Sequence, residues 1–148
     1  MAENLILTNI MTNMTATTSS LSESFFEAVL KRLDVLGYSV TDEDVWLVCF
    51  SAQKVENKIK NSCNTTIVPD GLFFDAVDMV CGEFLFTKKK TGKLVGFDFG
   101  AAVKQIQEGD TSITFIDGLS AEQQFETILN EMMICGEKQF VSFRKMSW

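Results

Sequence analysis

Asp75 and Asp78 stand three residues apart in the stretch DAVD, a spacing that places two carboxylates on one face of a helix. Such a pair can hold a divalent cation or share general acid and base work. No histidine, asparagine or third carboxylate sits beside it, and no histidine occurs anywhere in the chain. The pair therefore reads as a solvated face beside an apolar stripe. The four cysteines, Cys49, Cys63, Cys81 and Cys135, form no Cys-x-x-Cys pair. Without histidine a cysteine nucleophile lacks its usual base, and zinc lacks its commonest partner ligand. These cysteines read as buried or free thiols of a reducing compartment. Asp42, Glu43 and Asp44 fall where a helix start favours anions, and Asp110 and Asp117 bracket a short alternating segment as turn residues. Phosphate-loop, dinucleotide, nucleophile-elbow and zinc-protease motifs are all missing from the sequence. No catalytic, metal or cofactor site is expected.

Two groups of residues suit binding better than catalysis. Lys88, Lys89, Lys90 and Lys93 gather in TKKKTGK. They read either as a solvated helix end, where the macrodipole favours cations, or as a loop facing a partner or DNA. The last ten residues, QFVSFRKMSW, alternate apolar and polar positions and bring Phe140, Phe143, Arg144, Lys145 and Trp148 together. Buried aromatics anchor protein interfaces, and arginine supplies a forked donor. This tail either docks on a partner or folds back as an edge strand beside TSITF.

The composition narrows the class. Of 148 residues 46% are hydrophobic and 22% charged, which fits a folded domain with a real core. Thirteen Lys and Arg against twenty Asp and Glu leave a net charge of −7, which opposes any grip on phosphates. Mean hydropathy is slightly positive for so acidic a chain, +0.11, which fits either apolar surface kept for a partner or a large core. The N-terminal stretch has no positive region and its apolar residues are broken by Thr and Asn, so it does not read as a signal peptide. No apolar run reaches the ~18 residues of a membrane span.

Elements follow from periodicity. Residues 1–20, rich in Thr, Asn, Ser and Met, read as an arm, either flexible or ordered against a neighbour. Phe25, Phe26, Val29, Leu30, Leu33 and Leu36 predict a helix over Ser22–Leu36, stopped by Gly37. Thr41 with Asp44 predicts a capping box opening a helix to about Ser62. Pro69 opens a third helix to about Thr87, apolar over more than half its circumference. LVGFDF suggests a short strand, Ala101–Gln107 one or two helical turns, and TSITF an alternating strand. Ser120 with Gln123 caps a last helix over Ala121–Ile134. The expected fold is mainly α: a bundle of about four main helices, residues 21–136, with a short β-hairpin or strand insertion before the last helix. An arm (1–20) precedes it and an extended tail (137–148) follows.

The order VTDEDV, SAQKVENKIKNSCN, IVPDGLFFDAVDMVCGEFL, TSITF and SFRKMSW resembles that of the head–tail connector (adaptor) proteins of tailed bacteriophages. The resemblance spans about Ser22 to Trp148. It implies a non-enzymatic virion protein, made in the host cytoplasm, that forms a homo-oligomeric, commonly dodecameric, ring in the phage neck. Such a ring binds the portal protein on one side and a downstream neck or tail protein on the other. DNA only passes through its channel, and no membrane or cofactor is involved. On that reading Phe140, Phe143, Arg144, Lys145 and Trp148 dock on the portal or on an adjacent subunit, and Lys88–Lys93 either offset the acidic channel wall locally or meet an acidic neighbour. A head-completion or tail-terminator protein and a small protein-binding regulator are the alternatives.

Overall fold

The computed structural model describes residues 2–17, 19–109 and 118–145. Local chemistry sets most helix boundaries. Ser22 Oγ accepts from the Phe25 amide at 3.2 Å and starts α2, Glu23–Val35. Gly37, at φ +92°, turns the chain after it. The expected box at Thr41 forms: the Asp44 side chain accepts from the Thr41 amide at 3.0 Å, and a 3-10 turn leads into α3, Val45–Cys63. Asn64 ends α3 in the left-handed region, at φ 51°. Pro69 precedes a second 3-10 turn that opens α4, Phe73–Lys90. Then come α5, Phe99–Gly109, and α6, Ala121–Ile134, with Ser120 and Gln123 exchanging both bonds of their capping box. A 3-10 turn and the four-residue α7, Phe140–Phe143, follow.

The structure departs from the sequence pattern at the N-terminus. Where Thr and Asn suggest an arm, Ala2–Thr15 forms a helix, α1. Ile6, Ile10 and Met14, spaced by four, are buried in the same apolar cluster as Phe140 near the other end. Burial of this stripe overrides the weak helix propensity of Thr and Asn. Residues 2–15 thus pack as part of the body.

Helix packing sets the architecture. α1 packs on α2 and on α3, and both of these pack on α4, which closes a four-helix ring around a core. α4 makes its most extensive contact with α6, on its other side, and α5 packs on α6. Phe26, Phe84, Phe125, Ile10, Leu33 and Leu129 are among the fully buried side chains. Gly82 allows the close approach of α4 and α6: a Cβ there would lie 3.0 Å from Met132 Cβ and 3.1 Å from the Leu129 carbonyl oxygen.

The fold is mainly helical, and no strand occurs among the described residues. LVGFDF is a turn rather than a strand, with Gly96 at φ +77° and the Phe97 ring packed 5.2 Å from Phe125. The predicted strand TSITF lies outside the described residues. Among those residues no helix is long and apolar enough to cross a membrane.

Candidate interaction surface

Asp75, Asp78 and the four thiols are tied into helix packing, and Asp110 and Asp117 lie outside the described residues. Arg32 Nε on α2 donates to Asp78 Oδ1 on α4 at 2.9 Å. Burial, and then the charge of Asp78, pushes the Asp75 carboxyl above its ordinary range. Cys135 donates to the Asp75 carbonyl oxygen at 3.5 Å, and its thiol is pushed up to about 12 by burial and by Asp78 and Asp75. Burial also raises Cys49, Cys63 and Cys81. All four are unpaired thiols. Such groups are poor thiolates, and so poor nucleophiles and metal ligands. Among the described residues no cluster of three or more Cys, Asp or Glu is placed to hold a metal.

Lys88, Lys89 and Lys90 form the last turn of α4, the helix end that the sequence suggests, but Lys88 and Lys89 turn inward rather than into solvent, while Lys90 stays exposed. Lys88 Nζ reaches Asp44 Oδ1 at 2.7 Å, with the two side chains only 14% and 4% exposed. Tyr38 donates its hydroxyl to Asp44 Oδ2 at 2.8 Å, and its ring lies under Lys88. Burial alone would raise Asp44, but bonds from Lys88, Thr41 and Tyr38 more than offset it and hold the carboxyl below its ordinary range. Burial likewise opposes the charge on Lys88, and the bonds to Asp44 and Tyr38 still raise it. Lys89 meets Glu122 at 3.1 Å and Glu126 at 3.4 Å, and Lys90 meets Glu126 at 2.8 Å. These three lysines brace the end of α4 against the start of α3 and against α6. Their partners lie 36 to 44 residues away in sequence for Glu126 and Asp44, beyond local pattern reading. Lys93 is exposed.

The C-terminal candidates divide. Phe140 is buried in the core, and the half-buried Phe143 ring fills the space over Gly71, where a Cβ would collide with it. The Lys145 amide donates to the Cys63 carbonyl oxygen at 2.8 Å, and the Asn64 side chain donates to the Lys145 carbonyl oxygen at 2.9 Å. The tail through Lys145 is thus held on its own chain, as a short helix followed by the extended Arg144 and the pinned Lys145, with Phe140–Phe143 helical rather than an edge strand. Arg144 and Lys145 present exposed side chains, and Trp148 lies outside the described residues.

Among the described residues, exposed aromatic side chains mark two apolar faces. On α3, Trp46 and Phe50 are 68% and 49% exposed and stack on each other, centroids 5.2 Å apart at 17°. Asp42 lies beside Trp46, and the exposed Glu43 precedes it by one helical turn. Between α2 and α4, Ala28, Val35, Phe74 and Val77 line a groove of about 420 Å³ with Lys31, Arg32 and Asp78 at its edge. Phe74 is 79% exposed there and Val35 54%.

No family model, curated protein or solved structure matches this chain.

Both apolar faces escape a reading that looks for apolar stripes. Trp46 and Phe50 are out of phase with the buried row Val45, Val48, Cys49 and Ala52. Phe74 is likewise out of phase with Ala76, Val77 and Val80. An i, i+4 aromatic pair off the buried stripe is the signal that sequence alone offers for such a face.

Proposed function

We propose that this protein is a non-catalytic assembly subunit that binds other proteins through exposed aromatic surface. The stacked Trp46–Phe50 pair carries this reading. Exposed large aromatics cost solubility and are typical of interface hot spots, whereas the ionisable groups are used to brace helices. Within that class we propose the neck of a tailed phage: a ring subunit joining the portal to a tail-side protein and extending the DNA channel. The motif order supports it. So do the mainly helical fold and a net charge of −7, which would let DNA slide rather than stick. The family's β insertion would fall at TSITF, and the virion would be the protein's destination. Arg144, Lys145 and Trp148 are the portal-docking residues on this reading, with Phe140 and Phe143 fixing the root of the tail in cis.

Deleting Arg144–Trp148 tests the docking role. The deletion removes the two hydrogen bonds at Lys145, about 1–3 kcal/mol together, and keeps Phe140 and Phe143, so the shortened chain stays folded. Attachment to portal-bearing heads, read by negative-stain imaging, should be lost. Normal attachment by the shortened chain would sink the docking role, and full-length protein that ignores portal-bearing heads would sink the neck reading.

A further inference from the structure

We infer that the Trp46–Phe50 knob of one copy seats in the α2/α4 groove of a second copy, with Asp42 and Glu43 meeting Lys31 and Arg32. The inference deepens the assembly reading above and rests on it. Three observations select a second copy as the occupant.

The first is position. The knob rides on α3 and the groove lies between α2 and α4. α2 and α3 occupy opposite corners of the four-helix ring, joined through α1 and α4. An outward-facing knob on one corner cannot reach a groove on the other within the same chain.

The second is charge. Each copy carries −7 overall, so two copies repel unless opposite charges meet at the contact. Asp42 lies beside the knob and accepts from Asn9 through one oxygen only, the exposed Glu43 stands three residues before Trp46, and the groove edge holds two cations and one carboxylate. Asp78 takes only the Nε of Arg32, which leaves the other guanidinium donors to reach outward. Lys31 is 70% exposed and shares one oxygen of Glu27 at 3.1 Å, a surface pair that exchanges readily.

The third is shape. The groove, about 420 Å³, is of the size that takes up a bulky apolar group, and its walls are mostly aliphatic or aromatic. Different faces then meet at the contact. Such a heterologous joint propagates, closing into a ring if its rotation allows and running on as a filament if not.

Complementary variants test this directly. Trp46→Ala with Phe50→Ala removes the knob. Val35→Asp with Phe74→Asp closes the groove to apolar side chains. All four positions are about half or more exposed, so both proteins should fold, which circular dichroism checks. By analytical ultracentrifugation the wild type should form species larger than a dimer. Each variant alone should associate at least tenfold more weakly. An equimolar mixture of the two should form a capped 1:1 dimer, because one intact knob and one intact groove remain. Wild type that stays monomeric at its highest soluble concentration overturns the pairing; binding of that monomer to portal-bearing heads would leave the proposed function standing. Undiminished association of either variant, or a mixture that stays monomeric, also overturns it.

Discussion

Replacing Lys88 by methionine isolates the buried charge cluster at the end of α4. The substitution keeps most of the side-chain volume and removes only the ammonium. Asp44, 4% exposed, is then left as a carboxylate with Tyr38 and Thr41 as its remaining donors. Removing one partner of a buried ion pair costs about 3–5 kcal/mol, because the remaining buried charge loses its counter-charge and has no water in its place. The two donors that stay, and the 14% exposure of Lys88, place the loss near the low end, about 3 kcal/mol. At about 2–4 °C per kcal/mol for a chain of this length, Tm should fall by about 6–12 °C. The pH dependence is a sharper check. Asp44 is held below 3.8, so its contribution is present above that value and is lost as pH falls through the lower folded value. Lys88 is held above 10.5, so its contribution is present below that value and is lost as pH rises through the higher folded value. The gap between wild type and Lys88→Met should be widest between these limits and shrink toward acid, where Asp44 is neutral. Urea unfolding at pH 7 and near pH 3 measures both. A loss under about 1 kcal/mol at pH 7, the scale of a solvated surface pair, would refute the reasoning. So would a gap that does not change with pH.

Gly82→Ala should cost a net ~1 kcal/mol by thermal unfolding, because its methyl crowds Met132 Cβ and the Leu129 carbonyl by a few tenths of an ångström and this strain outweighs the gain in helix propensity. Alkylation of Cys135 by iodoacetamide at pH 8 should be slow against a small free thiol, given a thiol pushed up to about 12, and Asp78→Asn should speed it by removing the carboxylate whose charge acts more strongly on the thiol.

Much of the helical framework is legible in sequence because its determinants are local. Thr41 with Asp44, and Ser120 with Gln123, need only three residues of spacing to be recognised, and both boxes form. Leu33 and Leu36 followed by Gly37 mark the end of α2 in the same way. What escapes depends on partners far along the chain. α1 contains an i, i+4, i+8 row at Ile6, Ile10 and Met14, but Thr and Asn weaken the local helix preference, and only packing on α2 and α3 settles it. Lys88 finds Asp44 and Lys90 finds Glu126 across loops that no window of sequence spans. Of the binding candidates, the tail is legible as aromatic and basic, yet Phe140 and Phe143 face inward because α3 and Gly71 offer them room. The exposed Trp46 and Phe74 escape for the opposite reason, since a search for apolar stripes discards residues off the stripe.

α4 touches three of the larger helices, while α5 leans chiefly on α6, with Phe99 at its start and Phe97 in the turn before it packed against Phe125. That asymmetry gives the molecule an order of coming apart. α5 can detach while the four-helix ring stays closed, so its amides should exchange with solvent at a cost well below that of global unfolding. α4 cannot open without releasing α2, α3 and α6 together, and its amides should report the last, all-or-none step.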